Sequence, residues 1–374
     1  MILLLTQCFP PVTGGIEALM EGLAAALVIS GREVIVLADS KGDAEEAGHD
    51  ASFPCPVLRF GGPRPWRRWR KRRAVERLLR REAVEAVFAD SWKSLATLPT
   101  ALNADAIPVI ALAHGNDVLA RGDDTRARRI LDALSHASRI AANSRYTAQL
   151  VRDLGVPQER IHVVPPGFTP LPAPSSAARR TVADLAEGFH PCLLTLSRLE
   201  ARKGHDRVIR CLPDLLRRFP RLGYLVAGDG PDRARLERLA TEQGVARQVR
   251  FLGRVSEDLK SALFERADLF VMPAYEDRKQ HSVEGFGLVY LEAASLELPA
   301  VAGRSGGIEE AVVDGVTGLL CNGEDRQAVC AAITRMLENP DERQALGKAA
   351  QCRAQEFAWP HAIHRYLQLL EKDA

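Results

Sequence analysis

Residues 267–292, ADLFVMPAYEDRKQHSVEGFGLVYLE, decide how this chain folds. The apolar run Ala267–Met272 predicts a buried strand, and Leu288–Leu298 has the composition of a helix. Gly285-Phe286-Gly287 joins them as a loop, which makes the unit of a doubly wound sheet. Open α/β sheets take their ligands at the carboxyl ends of strands, where this loop lies. Glu284 falls in the loop and Glu292, eight residues on, about two turns into the helix. At about 1.5 Å of rise per residue the two carboxylates stand roughly 10–12 Å apart along the axis. On an ordinary surface helix such a pair is simply solvated. At a strand end it has a second reading, because carboxylates accept paired hydroxyl donors. Glycines between them let helix-start N–H groups approach a diphosphate. The stretch therefore suits an extended ligand with a diol or polyol at each end and a diphosphate between, the form of a nucleotide diphosphate sugar.

The pattern continues through Ala302-Gly303-Arg304-Ser305-Gly306-Gly307-Ile308-Glu309-Glu310 and Asp314-Gly315-Val316-Thr317-Gly318. With Glu284 and Glu292 it resembles the E-x7-E region of the family 4 retaining glycosyltransferases. The resemblance is densest here and covers most of the chain. It implies the GT-B fold, an α/β architecture of two Rossmann-like doubly wound parallel-sheet domains facing a central cleft. The expected division is an acceptor domain at 1–167, a linker at 168–190, a nucleotide-sugar donor domain at 191–355 and a C-terminal helix at 356–374. In GT-B enzymes that last helix crosses back onto the first domain.

Length and composition agree with two soluble domains. The 374 residues are 46% hydrophobic, enough for two cores, and no run is apolar for 18 residues. Seven scattered cysteines without a C-x-x-C pair point to a reduced cytoplasm and no structural zinc. Met1–Leu5 lacks a preceding basic region and reads as a first core strand rather than a signal peptide. A net charge of +2 gives no argument for nucleic acid.

In the first half, strand Met1–Thr6 leads through Gly14-Gly15 into helix Ile16–Gly31 and strand Glu33–Ala38. Gly14-Gly15 does not make G-x-G-x-x-G, which disfavours dinucleotide chemistry. It is either a tight turn or a place where backbone N–H groups meet phosphate, and the resemblance implies the latter. Arg64–Glu82, RPWRRWRKRRAVERLLRRE, is a basic helix with Trp66 and Trp69 three apart. It reads equally as a solvated helix or as an element for an anionic membrane surface. Arg67, Arg68, Lys71 and Arg72 are its candidate lipid-facing cations. His114-Gly115-Asn116-Asp117 follows the strand Val109–Ala113. The family's H-G-x-D turn implies that His114 lies near the reacting carbon and orients the sugar.

In the second half, strands Cys192–Ser197, Tyr224–Ala227 and Val249–Leu252 alternate with helices 205–219 and 232–243. Arg198 and Lys203 stand five apart just past the first of these strands. Such a pair offers a diphosphate a planar fork and a mobile point charge. The resemblance, through its R-x4-K turn, implies that they clamp the leaving diphosphate. It also implies that Glu284 holds hexose hydroxyls, that Glu292 holds the ribose, and that Gly285, Phe286, Gly287 and Leu288 line the donor. No D-x-D motif is present: Glu45-Glu46 and Asp123-Asp124 are adjacent pairs. Neither a metal nor another cofactor is expected. The expected activity is retaining hexosyl transfer from a nucleotide sugar, with the region around Glu276–Gly287 resembling GDP-mannose-dependent enzymes. The acceptor would be a glycan or a lipid-linked molecule. The alternatives are a UDP-hexose donor, a GT-B nucleotide-sugar epimerase and a non-catalytic nucleotide-sugar sensor. An epimerase needs acid–base residues on both faces of the sugar, and none stands out.

Overall fold

The computed structural model describes residues 1–371 apart from 43, 100–106, 121 and 278–281. The chain divides into two compact units, one of Met1–Thr169 with Phe357–Ala374 and one of Pro170–Glu356.

The first unit begins β1 (Ile2–Thr6), α1 (Gly15–Ile29), β2 (Val34–Asp39), α2 (Glu46–Ser52), β3 (Val57–Phe60) and α3 (Arg64–Arg81). It continues β4 (Ala86–Ala89), α4 (Trp92–Leu95), β5 (Val109–Ala113), α5 (Asp124–Leu134), β6 (Arg139–Ala142), α6 (Arg145–Asp153) and β7 (Ile161–Val163). Among the described residues the strands form one sheet, ordered β3-β2-β1-β4-β5-β6-β7, with every pairing parallel. All five residues of β1 are buried, without polar alternation, because crossover helices cover both faces of a parallel sheet. β3 was not legible in the sequence: it is a four-residue, half-exposed edge strand carrying Arg59.

The second unit runs α7 (Ser176–Leu185), β8 (Cys192–Leu196), α8 (His205–Leu216), β9 (Gly223–Ala227), α9 (Arg233–Glu242), β10 (Val249–Gly253) and α10 (Glu257–Arg266). Then come β11 (Leu269–Met272), α11 (Leu288–Ser295), β12 (Ala300–Gly303), α12 (Ile308–Ala311), β13 (Gly318–Cys321), α13 (Arg326–Glu338) and α14 (Pro340–Gln355). Among the described residues its strands form a second all-parallel sheet, β10-β9-β8-β11-β12-β13. Strand order reverses between β1 and β4 in one sheet and between β8 and β11 in the other, and ligands gather at such switch points. α11 stops at Ser295, three residues short of the expected end, and Glu297 turns the chain with φ 58°.

Residues 168–190, expected as a linker, contain a packed helix. Ser175 caps α7 and is itself bonded through backbone N and Oγ to Asp258 of α10 (2.7 and 2.6 Å), and Arg179 pairs with Glu265 at 3.0 Å. The prolines before Ser175 gave the segment its loop-like composition. The last helix, α15 (Trp359–Gln368), lies in the first unit's core, where Trp359, Ala362, Ile363 and Tyr366 join Leu19, Leu23 and Leu27 of α1.

The basic helix α3 has two distinct faces. Lys71 and Val75 are buried. Lys71 Nζ donates to Asp39 Oδ1 at 2.6 Å and to the Thr6 carbonyl at 2.8 Å, while Arg67 pairs with Asp39 at 2.9 Å. Arg72 places its guanidinium on the Leu98 carbonyl at 2.8 and 3.1 Å. Burial lowers the Lys71 pKa, with Asp39 opposing, and burial likewise lowers that of Arg68. Lys71 is therefore a buried anchor to the ends of β1 and β2, and Arg67 and Arg72 are inward ties. None of these three is a lipid-facing cation. The outward stripe is Trp66, Trp69, Arg70, Arg73, Arg77 and Arg80, all exposed, with helical spacing that puts them on one side. The two indoles meet edge to face at 6.1 Å, and Arg73 lies over Trp69 at 5.5 Å.

Candidate active site

At the switch point of the second sheet, the chain leaves β8 and makes a short 3-10 turn, Ala201–Lys203, closed by Gly204. Gly204 has φ 78°, and a Cβ there would fall 2.4 Å from the Pro273 carbonyl oxygen. Glycine lets this turn lie directly against the end of β11. Gly306, at φ 59°, does the same for the other side: a Cβ would come within 2.0 Å of the Glu284 carbonyl oxygen. Gly307 N donates to that carbonyl at 3.0 Å, and the Tyr290 hydroxyl donates to the Met272 carbonyl at 2.6 Å. The backbone of Glu284 is thereby fixed beside the β8 turn.

The side chains then form a ladder of alternating charge. Lys203 Nζ and Arg202 Nη1 both reach Glu284 Oε2, at 2.5 and 2.9 Å. Arg202 Nε lies 3.2 Å from Glu200 Oε2, and Arg198 Nη1 lies 3.1 Å from Glu200 Oε1. The side chains of Arg202, Lys203 and Glu284 are 11%, 10% and 17% exposed, whereas that of Arg198 is 78% exposed. Burial alone would raise the Glu284 pKa, but the Lys203 ammonium and the Arg202 guanidinium more than offset it and hold it at about 2. Glu284 is thus ionised at any working pH. The structure sets Lys203 against Glu284 and links Arg198 to them through Glu200 and Arg202; Lys203, the expected mobile charge, is enclosed, whereas Arg198 is paired with Glu200 at the exposed end of the ladder.

Glu292 lies at the start of the second turn of α11, one turn in rather than the expected two because the helix begins only at Leu288, and Lys260 donates to its Oε1 at 3.0 Å. Lys260 also pairs with Glu257 at 2.7 Å. Its burial would lower its pKa, yet Glu292 and Glu257 raise it. Gly285, Phe286 and Gly287 are buried, and Leu288 is half-buried at the start of α11. Residues 278–281 of the polar insert lie outside the described residues. Arg202, Glu200 and Lys260 were missed from sequence, where each was one charged residue among many. The one available signal was Arg202 standing next to Lys203 on a turn too short to point them apart.

In the first unit, Asp90 at the end of β4 organises the switch point. Its Oδ2 accepts from Thr6 Oγ1 at 2.8 Å and Gln7 N at 2.7 Å, and its Oδ1 from Ser91 and Ser94 at 2.9 and 2.6 Å. Its carbonyl meets His114 Nε2 at 2.8 Å. A carbonyl can only accept, so Nε2 carries a ring proton and donates to it, which leaves Nδ1 as the acceptor of the uncharged tautomer. The His114 backbone N donates to Asp117 Oδ1 at 2.8 Å, and burial raises the Asp117 pKa against the pull of His114. Gly14 precedes α1 in extended backbone, and a Cβ there would meet the Glu17 carboxylate, while nothing lies within 4 Å of a Cβ on Gly15. Glu17 thus already places an anion in the first turn of α1.

Among the described residues no group of three or more His, Cys, Asp or Glu is arranged to hold a metal ion, and all seven cysteines are free. Nor is any described helix long and apolar enough to cross a membrane.

Two family models match the chain: Glycosyltransferase Family 4 over residues 13–170 and Glycosyl transferases group 1 over residues 185–353. Among curated proteins, the chain is 33% identical over 367 residues to the GDP-mannose-dependent alpha-(1-6)-phosphatidylinositol monomannoside mannosyltransferase of Mycolicibacterium smegmatis, covering 94% of this chain and 92% of that one. It is 30% identical over 394 residues to the GDP-mannose-dependent monoacylated alpha-(1-6)-phosphatidylinositol monomannoside mannosyltransferase of Corynebacterium glutamicum, covering 99% and 98%. Among solved structures, Anabaena HepE in complex with UDP and glucose superposes with a TM-score of 0.81 over 99% of both chains at 21% identity.

Proposed function

Because the chain belongs to the family 4 glycosyltransferases with the GT-B fold, and so transfers a glycosyl group, we propose that the group is mannose and the donor GDP-mannose. Both curated relatives named above are GDP-mannose-dependent mannosyltransferases, which supports this choice. The single observation that carries the site is Glu284, an ionised and nearly enclosed carboxylate fixed beside two cations at a switch point. It is what a site needs when it must hold a neutral, hydroxyl-rich group next to a diphosphate.

In the reaction, the bond between the anomeric carbon and the donor phosphate oxygen breaks and a bond to the acceptor oxygen forms on the same face. The acceptor proton passes to the departing phosphate. Negative charge grows on the diphosphate, and Arg198 and Lys203 are placed to stabilise it where it develops. Glu284 holds hexose hydroxyls and Glu292 the ribose diol, with Lys260 keeping Glu292 charged and oriented. The cations do the work that a metal would otherwise do. His114, with Nδ1 as acceptor, orients a sugar hydroxyl, and Gly15, with nothing within 4 Å of a Cβ, leaves room at the start of α1.

The acceptor is a lipid-linked molecule at an anionic membrane surface. Support comes from the outward stripe of α3, where Trp66 and Trp69 are 66% and 53% exposed beside Arg70, Arg73, Arg77 and Arg80. Indoles seat at the head-group boundary while arginines meet phosphates. The deciding experiment is thermal stabilisation by GDP, UDP, ADP and their sugar conjugates, followed by detection of free GDP on addition of acceptor. GDP and GDP-mannose should give the largest shifts. A preference for UDP transfers the reading to a UDP-hexose, and no shift with any nucleotide overturns it.

A further inference from the structure

The ladder Arg198–Glu200–Arg202–Glu284–Lys203 contains three cations and two carboxylates in an unbroken sequence of ion pairs. Its two end cations are those that glycosyl transfer assigns to the diphosphate. A diphosphate competes with Glu200 for Arg198 and with Glu284 for Lys203. Without a third cation, both carboxylates would then stand uncompensated beside an incoming polyanion, one of them almost enclosed. Arg202 lies between them, touching each, and its side chain is 11% exposed, so it has little freedom to follow the others. Its carbonyl also accepts from Tyr275 N at 2.9 Å, which ties its backbone to the loop after β11.

We propose that Arg202 is the retained counter-ion of the site: it holds Glu200 and Glu284 while Arg198 and Lys203 are handed over to the donor diphosphate. This rests on the glycosyl-transfer reading and adds to it a positioning residue that never touches phosphate. The handover lets Glu284 stay ionised and aimed at the sugar after it has lost Lys203. It also explains why both cations meet the same oxygen, Oε2. One of the two bonds can be given up without turning the carboxylate.

The test uses the full chain and GDP as probe, with Arg202→Met, Arg202→Lys and Glu200→Gln. Wild type binds GDP. Arg202→Met weakens GDP binding by about tenfold or more, because releasing Lys203 now strands a carboxylate. In the kcat–pH profile of Arg202→Met the acidic limb moves upward, towards the ordinary carboxylate range, because the occupied site leaves Glu284 without a cation. Arg202→Lys restores both. A merely structural role would lower the melting temperature and leave that limb in place. Glu200→Gln works in the opposite direction: Arg198 no longer has an exposed ion pair to break, and GDP binds about fivefold more tightly. This second variant decides the matter if Arg202→Met does not fold. Wild-type GDP affinity and an unmoved acidic limb in Arg202→Met, or unchanged or weaker GDP binding in Glu200→Gln, overturn the proposal and leave glycosyl transfer standing. A wild-type chain that binds no nucleoside diphosphate overturns both.

Discussion

Replacing Glu284 by glutamine keeps the shape of the side chain and removes its charge, so it reads the worth of the charge ladder directly. The Glu284 carboxyl is held at about 2 against an ordinary value of 4.5. Each pKa step of one corresponds to about 1.4 kcal/mol, so the ionised form gains about 3 kcal/mol more from the folded site than the neutral form does. With 17% of the side chain exposed, solvent screens little of this. The amide resembles the neutral acid, and Glu284→Gln should therefore lose about 3 kcal/mol at pH 7. For a domain of this size that lowers the melting temperature by roughly 6–12 °C. The sign with pH follows from the depressed value. The stabilisation is fully present above pH 4.5 and is lost as pH falls from there towards 2, because the unfolded chain takes up the proton first. Urea unfolding of wild type and variant at pH 7 and pH 3 measures the gap, which should shrink by more than half at the lower pH. Saturating GDP should also narrow it at pH 7, since phosphate replaces the missing anion at Lys203. A variant as stable as wild type at pH 7, or a gap that does not change with pH, would refute the electrostatic account of this site.

Glu292→Ala should raise the dissociation constant for GDP by about tenfold with a small change in kcat, whereas Glu284→Ala should chiefly lower kcat; steady-state kinetics separates the two, and equal effects on both parameters would break the ribose–hexose assignment. Exhaustive chelation should leave full activity, because Arg198 and Lys203 meet the diphosphate; an absolute need for Mg²⁺ or Mn²⁺ would remove that role. Changing Arg70, Arg73, Arg77 and Arg80 together to Ser should weaken binding to anionic vesicles by about a thousandfold, at roughly fivefold per arginine, and high salt should weaken the wild type likewise. Equal, salt-independent co-sedimentation of both proteins would make α3 a solvated helix. The inward residues Lys71 and Arg67 must be left in place in this test, since they hold α3 to β1 and β2.

The sequence by itself determined the alternation of strands and helices, the position of the switch-point loops and the presence there of Arg198, Lys203, Glu284 and Glu292. Those features are local. A buried parallel strand is a short apolar run, and β5 and β6 begin and end where Val109–Ala113 and Arg139–Ala142 predict. Glycines at 204 and 306 likewise announce a sharp turn, though not what the turn is pressed against. Only the tertiary structure decided which charges are used and how. Arg202 and Arg198 are four residues apart and chemically identical, yet one is enclosed against Glu284, 82 residues away in the chain, and the other is open to solvent. In α3, Lys71 and Arg70 are neighbours in an unbroken basic run, and the helix turns one towards Asp39 and the other outward. The physical reason is the same in both places. Burial and pairing of a long charged side chain depend on which backbone passes within a few ångströms of its tip, and that is set by sheet order and turn geometry rather than by the residue's own neighbours in sequence.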